Sequence, residues 1–179
     1  MIVNEKSLVA AMKDSYKGTG YSVAIGEGVV HLADHSWSVR CTEDDLPRKA
    51  LGLIAEHLGK IPKEGTAFRI SKAMGIQQQI FEEMVGGEEI IERGCACGDR
   101  CVVTGLTING LDLWQGENGG IVLASPEREE MWVPASLCMA SDKWMGIRDE
   151  SSAVYIMLEE VPHTIKTKLA YLEKFRWTA

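Results

Sequence analysis

Alternating hydrophobic and polar positions are clearest between Cys101 and Ala140, where they predict consecutive antiparallel strands. Asn109-Gly110 separates two runs rich in apolar and β-branched residues, 102–108 and 111–115. Asn-Gly readily supplies the positive φ angles of a two-residue hairpin turn, so these runs are predicted to pair. Glu117-Asn118-Gly119-Gly120 predicts a second turn, which leads into another strand.

The pattern continues less regularly toward the C-terminus. Residues 126–130 are too polar and turn-like for a central strand, and the strand pattern resumes at 131–133. Residues 141–152 are predicted to be irregular apart from Trp144 and Met145. Residues 153–158 form a good final strand.

A shorter meander is predicted near the N-terminus. Residues 21–25, 29–33 and 37–41 alternate or run apolar, and turn-forming residues separate them at 26–28 and 34–36. Three short strands joined by tight turns are the simplest interpretation.

Helices are predicted on either side of these strands. The first spans 4–17, with Asn4 as N-cap and Gly18 at its end. The second ends before Gly59, and a closing helix opens at Pro162. The apolar stripe of the second helix comprises Ala50, Leu51, Ile54, Ala55 and Leu58, and that of the closing helix comprises Ile165, Leu169, Leu172 and Phe175.

Residues 60–100 are predicted to be a largely helical insert. Residues 66–70 form a short strand, and Ser71 caps a helix that stops at Gly86-Gly87, with Gln77-Gln78-Gln79 on its solvated face. Residues 88–93 add a turn, and 94–98 form a loop. The apolar face of this helix comprises Met74, Ile76, Ile80, Phe81, Met84 and Val85.

This order of elements predicts the α+β class. The expected architecture is one domain, 1–179, with an antiparallel β-sheet made of two meanders at about 20–41 and 101–160. An isolated meander is marginal in water, so the N-terminal, middle and C-terminal helices are expected to pack on it.

Composition narrows the functional class. The formal charge of −7 is spread evenly along the chain, which argues against a nucleic-acid partner, because phosphate binding needs a clustered basic surface. No apolar run approaches the ~20 residues of a membrane span, and the N-terminus has charges where a signal peptide needs an apolar core. We therefore expect no membrane partner and a cytoplasmic location. Five cysteines at irregular spacing are expected to be reduced thiols.

The segment Cys95-Ala96-Cys97-Gly98-Asp99-Arg100-Cys101 is the strongest candidate for chemistry. Cys95, Cys97 and Cys101 are metal-ligand candidates for zinc or iron, although a structural site usually needs a fourth ligand. Arg100 in a flexible loop is also compatible with a lowered thiol pKa and reversible oxidation. The alternative is that all three are ordinary free cysteines, which behave as small hydrophobes when buried.

Other catalytic signals are weak. Asp34-His35-Ser36 contains the residue types of a hydrolase triad, but three neighbours in a turn do not converge as triad members do. Paired carboxylates are predicted to lie on solvated surfaces. The pairs occur at residues 44–45, 82–83, 88–89, 129–130 and 159–160.

Trp114 and Trp132 suggest a binding surface. Strand alternation would place Trp114 opposite Leu111 and Leu113, and Trp132 is predicted on another strand of the same meander. An open face carrying both indoles would be a contact surface or a ligand groove. The alternative is that a second layer of structure covers them as core.

Since no catalytic set is visible, the leading hypothesis is a non-catalytic binding or interaction module. Its partner would be another protein or a second copy, met through the sheet face or an edge strand. Two hypotheses compete with it: a thiolate-dependent metal-binding or redox protein, and a small-molecule sensor with an aromatic-lined groove.

Overall fold

The computed structural model describes residues 2–133 and 137–170 as one antiparallel sheet of eleven strands flanked by helices, which confirms the α+β prediction. The helices are α1 Glu5–Lys17, α2 Arg48–Leu58, α3 Phe81–Ala96, α4 Pro126–Glu129 and α5 His163–Leu169. The strands are β1 Tyr21–Gly26, β2 Val29–Ala33, β3 Trp37–Thr42, β4 Thr66–Ser71, β5 Gly75–Gln79, β6 Asp99–Ile108, β7 Leu111–Gly116, β8 Ile121–Ala124, β9 Leu137–Ala140, β10 Trp144–Arg148 and β11 Ser152–Met157. No helix in these ranges is long and apolar enough to cross a membrane.

The strand order is β5-β4-β1-β2-β3-β11-β10-β9-β6-β7-β8. The two predicted meanders are therefore joined into one sheet by the pairing of β3 with β11, in which Val39 lies opposite Val154. The predicted Asn109-Gly110 turn is present, with both φ angles positive, at 54° and 81°. It connects β6 to β7 by the pair Ile108–Leu111.

One face of the sheet carries the main hydrophobic core, beneath α1 and α2. Alternate residues of β1, β2, β3 and β11 enter this core, and Leu8 and Met12 from α1 are fully buried there. Each such side chain contributes about 1.5–3 kcal/mol through removal from water. Asn4 caps α1 as predicted, since its Oδ1 accepts hydrogen bonds from the backbone N–H groups of Lys6 and Ser7.

The other face is covered by α3, which contacts β1, β4, β9 and β10. Phe81 begins this helix and lies against Gly26, where a Cβ atom would stand 2.2 Å from the Phe81 ring. A smaller apolar cluster holds the far end of the helix and includes Cys95, Ala153 and Tyr155. Alternation along β11 separates the two clusters, because Val154 lies in the main core and its neighbours face α3.

The prediction for residues 60–100 was partly wrong. Residues 66–71 are a strand as expected, but 75–79 form a second strand where a helix was predicted. The helix begins only at Phe81, and it runs through Gly86-Gly87 to Ala96 although 94–98 were predicted as a loop. Each glycine costs a helix interior about 1 kcal/mol, so packing on the sheet must hold α3 together.

Two smaller predictions also need correction, and a third is borne out as far as the described residues reach. Residues 131–133 form only an isolated bridge, Val3 with Trp132, instead of a strand of the meander. Residues 144–148 are strand β10, although 141–152 were predicted to be mostly irregular. The closing helix begins at His163 as expected, with Ile165 and Leu169 half-buried, while the predicted Leu172 and Phe175 lie outside the described residues.

Candidate functional site

Strand β5 ends the sheet on one side, and within the described residues no strand pairs with its outer edge. Four of its five residues are exposed. The strand, Gly-Ile-Gln-Gln-Gln, has no charged residue and no proline. Natural sheets usually block an edge with lysine, proline, a bulge or a covering segment, because free backbone N–H and C=O groups recruit other strands. Strand β5 contains neither the lysine nor the proline that would block such an edge.

Exposed apolar side chains accompany the β5 edge. Met74, Ile76 and Ile80 are 66%, 50% and 57% exposed, and these three residues are called the edge patch below. The opposite end of the sheet differs, because β8 is bridged there by Glu159, whose N–H donates to the carbonyl oxygen of Leu123 at 2.9 Å. The two ends of the sheet are therefore not equally open to a further strand.

Residues of the turn itself stabilise the hairpin that joins β4 to β5. The hydroxyl of Ser71 accepts a hydrogen bond from the N–H of Met74 at 3.0 Å, and Gly75 adopts a positive φ of 69°. Glycine reaches that conformation without steric cost. Residue Ser71 therefore closes a turn, in place of the helix cap predicted for it.

A buried polar cluster lies between α3 and the sheet. Glu88 is 7% exposed and accepts hydrogen bonds from the Ser38 hydroxyl, at 2.9 Å, and from His31 Nδ1. The prediction that Glu88 lies on a solvated surface was therefore wrong. Loss of hydration raises the pKa of the Glu88 carboxyl, while the hydrogen bonds from His31 and Ser38 oppose that rise.

The arrangement of this cluster suits attachment of α3 to the sheet and does not suit catalysis. In a nucleophilic triad, histidine stands between the nucleophile and the acid, whereas here the glutamate stands between histidine and serine. One turn further along α3, Glu92 binds Arg40 at 2.8 Å and Arg148 at 2.9 Å. Glu88 thus holds α3 to β2 and β3, and Glu92 holds it to β3 and β10.

The three cysteines predicted as metal ligands are not brought together. Cys101 lies in the main core, directly opposite Cys138 in the β6–β9 pairing. Cys95 lies on the other face of the sheet, and Cys97 is exposed. In the part of the chain that the structure describes, no three His, Cys, Asp or Glu side chains are grouped to hold a metal ion.

Burial also makes the four buried thiols weak acids, which disfavours their thiolate form. Burial raises the pKa of Cys95 to about 11 and that of Cys101 to about 12. It raises the pKa of Cys41 to about 12 and moves that of Cys138 in the same direction. The thiolate is the reactive form, so these groups are expected to be inert at neutral pH.

We expect a thiol titration of the native protein to detect one fast-reacting group, Cys97, and four more only after denaturation. The reason is that the other four thiols are buried while Cys97 is exposed. Cys97→Ser should abolish the fast reaction and leave the slow one unchanged. Two or more fast thiols in the native wild-type protein would contradict this arrangement.

Trp114 and Trp132 are 1% and 2% exposed and belong to the main core, so the open tryptophan face predicted for them is absent. Trp114 faces the core, and its Nε1 donates to Glu129 Oε1 at 2.7 Å. Their edges reach a cavity of about 350 Å³ near Pro126. The alternative interpretation, that other structure covers both indoles, describes the observed arrangement.

Asp34-His35-Ser36 forms a turn, as its residue types suggested. Asp34 Oδ1 accepts hydrogen bonds from the N–H groups of Ser36 and Trp37, at 2.6 and 3.0 Å, and its Oδ2 accepts one from the Ser15 hydroxyl. The carboxylate thereby ties this turn to α1. A cavity of about 610 Å³ opens beside it, bordered also by α4.

Sequence reasoning missed both the edge patch and the Glu88 cluster. For the first, Ser71 followed four residues later by Gly75 was an available hairpin signal, but the apolar spacing of 74–85 also fitted a helix. For the second no local signal existed. His31, Ser38 and Glu88 are brought together only by the packing of α3.

The sequence matches no known protein-family model and no curated protein. Among solved structures, the chain is similar to the crystal structure of DNA polymerase III, beta chain, from Streptococcus pneumoniae TIGR4, with a TM-score of 0.40 and 9% sequence identity. That alignment covers 94% of this chain and 67% of the other. Similarity at this level supports no conclusion about family or function, so the chain's own residues must carry the functional argument.

Proposed function

We propose that this protein is a non-catalytic interaction module that self-associates through the outer edge of β5. One observation carries the proposal: an uncharged, proline-free and exposed edge strand is flanked by the edge patch Met74, Ile76 and Ile80. Strand addition satisfies the outward backbone groups, and burial of the patch supplies apolar area.

The remaining chemistry supports a binding role. The buried carboxylate of Glu88 accepts hydrogen bonds from His31 and Ser38, and these bonds attach α3 to the sheet. Of the four buried thiols, Cys95 lies on the α3 face and the other three lie in the main core, and burial raises the pKa of each. All five cysteines are free, which suits a reducing compartment, and we place the protein in the cytoplasm.

Sedimentation velocity over a range of concentrations tests the proposal. We expect the wild-type protein to shift from monomer to dimer as concentration rises, and Ile76→Lys to remain monomeric, because it puts a charge on the pairing edge. Leu106→Lys is the matched control, since Leu106 is 51% exposed on β6, compared with 50% for Ile76.

The control variant should dimerise like the wild-type protein. A wild-type protein that stays monomeric at every concentration would refute the proposal. So would a dimer that Ile76→Lys leaves intact while its fold is unchanged by circular dichroism.

A further inference from the structure

We infer that two copies pair their β5 strands antiparallel about a twofold axis at Gln77, which makes one continuous sheet across the dimer. This inference rests on the proposed self-association and specifies its geometry. An isologous contact of this kind closes after two copies, because each edge is occupied by the other.

The faces of β5 restrict the register. Ile76 pairs with Ile70, whose side chain enters the main core, so Ile76 lies on that face, and Gln77 lies on the α3 face by alternation. Residues opposite each other in a sheet point to the same face. A symmetric antiparallel pair must therefore be centred on a residue, and only a centre at Gln77 pairs all five residues of Gly75–Gln79.

The edge patch is self-complementary in this register. Met74 lies three residues before Gln77 and Ile80 three residues after it, so the Met74 of one copy meets the Ile80 of the other. Both side chains are more than half exposed in the single chain. The twofold axis repeats this contact, so it covers both side chains in each copy.

Charge favours the same direction of pairing. Lys72 lies five residues before Gln77, and Glu82 lies five residues after it; both are exposed. Antiparallel pairing brings the Lys72 end of one strand beside the Glu82 end of the other, whereas parallel pairing would bring like charges together. The centre of the contact is neutral, and glutamine amides there can hydrogen-bond to each other across the axis.

Disulfide trapping tests the register. In a Cys97→Ser background, Gln77→Cys should form covalent dimers on mild oxidation, since directly opposed residues have Cα atoms about 4.5–5.5 Å apart, within the range of a disulfide. Gln78→Cys is the matched control. It opposes Ile76 of the other copy, and the two introduced thiols are diagonal neighbours about 7–8 Å apart at Cα, too far for ready bonding.

A charge exchange tests the direction of pairing. Lys72→Glu and Glu82→Lys should each weaken dimerisation about tenfold, because each converts two symmetry-related attractions into repulsions. The double variant should return to within about threefold of the wild-type dissociation constant.

The possible failures are distinguishable. A wild-type dimer that Gln77→Cys does not trap, or in which the double variant is as weak as the single ones, overturns the antiparallel register and leaves self-association standing. A wild-type protein that is monomeric throughout overturns both.

Discussion

Replacement of Glu88 by alanine is expected to lower the free energy of unfolding by about 3 kcal/mol, because it leaves a buried imidazole and a buried hydroxyl without a partner. His31 and Ser38 are 6% and 1% exposed, so water does not replace the lost carboxylate. The substitution removes contacts that attach α3 to the sheet, and the interior glycines of α3 give this helix little stability of its own. Urea denaturation followed by circular dichroism measures the effect.

Glu88→Gln is the matched control. The amide keeps the size of the side chain and can accept from one neighbour while it donates to the other, so we expect a loss of only about 1 kcal/mol. Equal stability of the alanine variant and the wild-type protein would show that the cluster does not hold α3.

The difference in stability between the wild-type protein and Glu88→Gln should depend on pH, and its direction follows from the pKa of Glu88. The pKa of Glu88 is raised in the folded state above its ordinary value of 4.5, chiefly because burial removes its hydration. Stability from protonated Glu88 is thus fully present below pH 4.5 and is lost as pH rises through the folded-state pKa. The stability advantage of the wild-type protein over Glu88→Gln should shrink with rising pH.

Gly98→Ala is expected to destabilise the fold by about 3 kcal/mol through a backbone clash. A Cβ atom at this position would lie 1.8 Å from the carbonyl oxygen of Ala140. Ala140 is paired with Asp99, the first residue of β6, so the clash acts where β6 meets β9. No side-chain rotation relieves it.

Gly94→Ala is the control for this variant. Its Cβ would lie 3.8 Å from the Ser141 side chain, an ordinary contact, and alanine favours the helix by about 1 kcal/mol. The melting temperature should therefore fall for Gly98→Ala and stay level or rise for Gly94→Ala. A Gly98→Ala protein as stable as the wild type would contradict the close approach of the two strands.

The two meanders were predictable because their turns are encoded locally. Asn109-Gly110 supplies two positive φ angles, and few other dipeptides do so as readily. Asn4 likewise caps α1 through its own side chain. Elements whose ends are fixed by neighbouring residues can be located from the sequence alone.

The region around β5 was not predictable in the same way. Its apolar residues from Met74 to Val85 have a spacing that suits a helix, and the strand forms because Ile76 pairs with Ile70 in a register set by the hairpin. The burial of Glu88 and the scattering of Cys95 and Cys101 over two faces depend on how the sheet and α3 pack. Such contacts between distant residues leave no periodic signal.

Amide hydrogen exchange of β5 at low and high protein concentration shows directly whether the outer edge of this strand forms the dimer interface. We expect the backbone N–H groups of Gly75–Gln79 that point away from β4 to exchange freely in dilute protein and to become protected in concentrated protein, while protection of the β8 edge stays constant. Exchange at β5 that does not depend on concentration, in a sample whose measured mass shows association, would place the interface elsewhere and contradict self-association through β5.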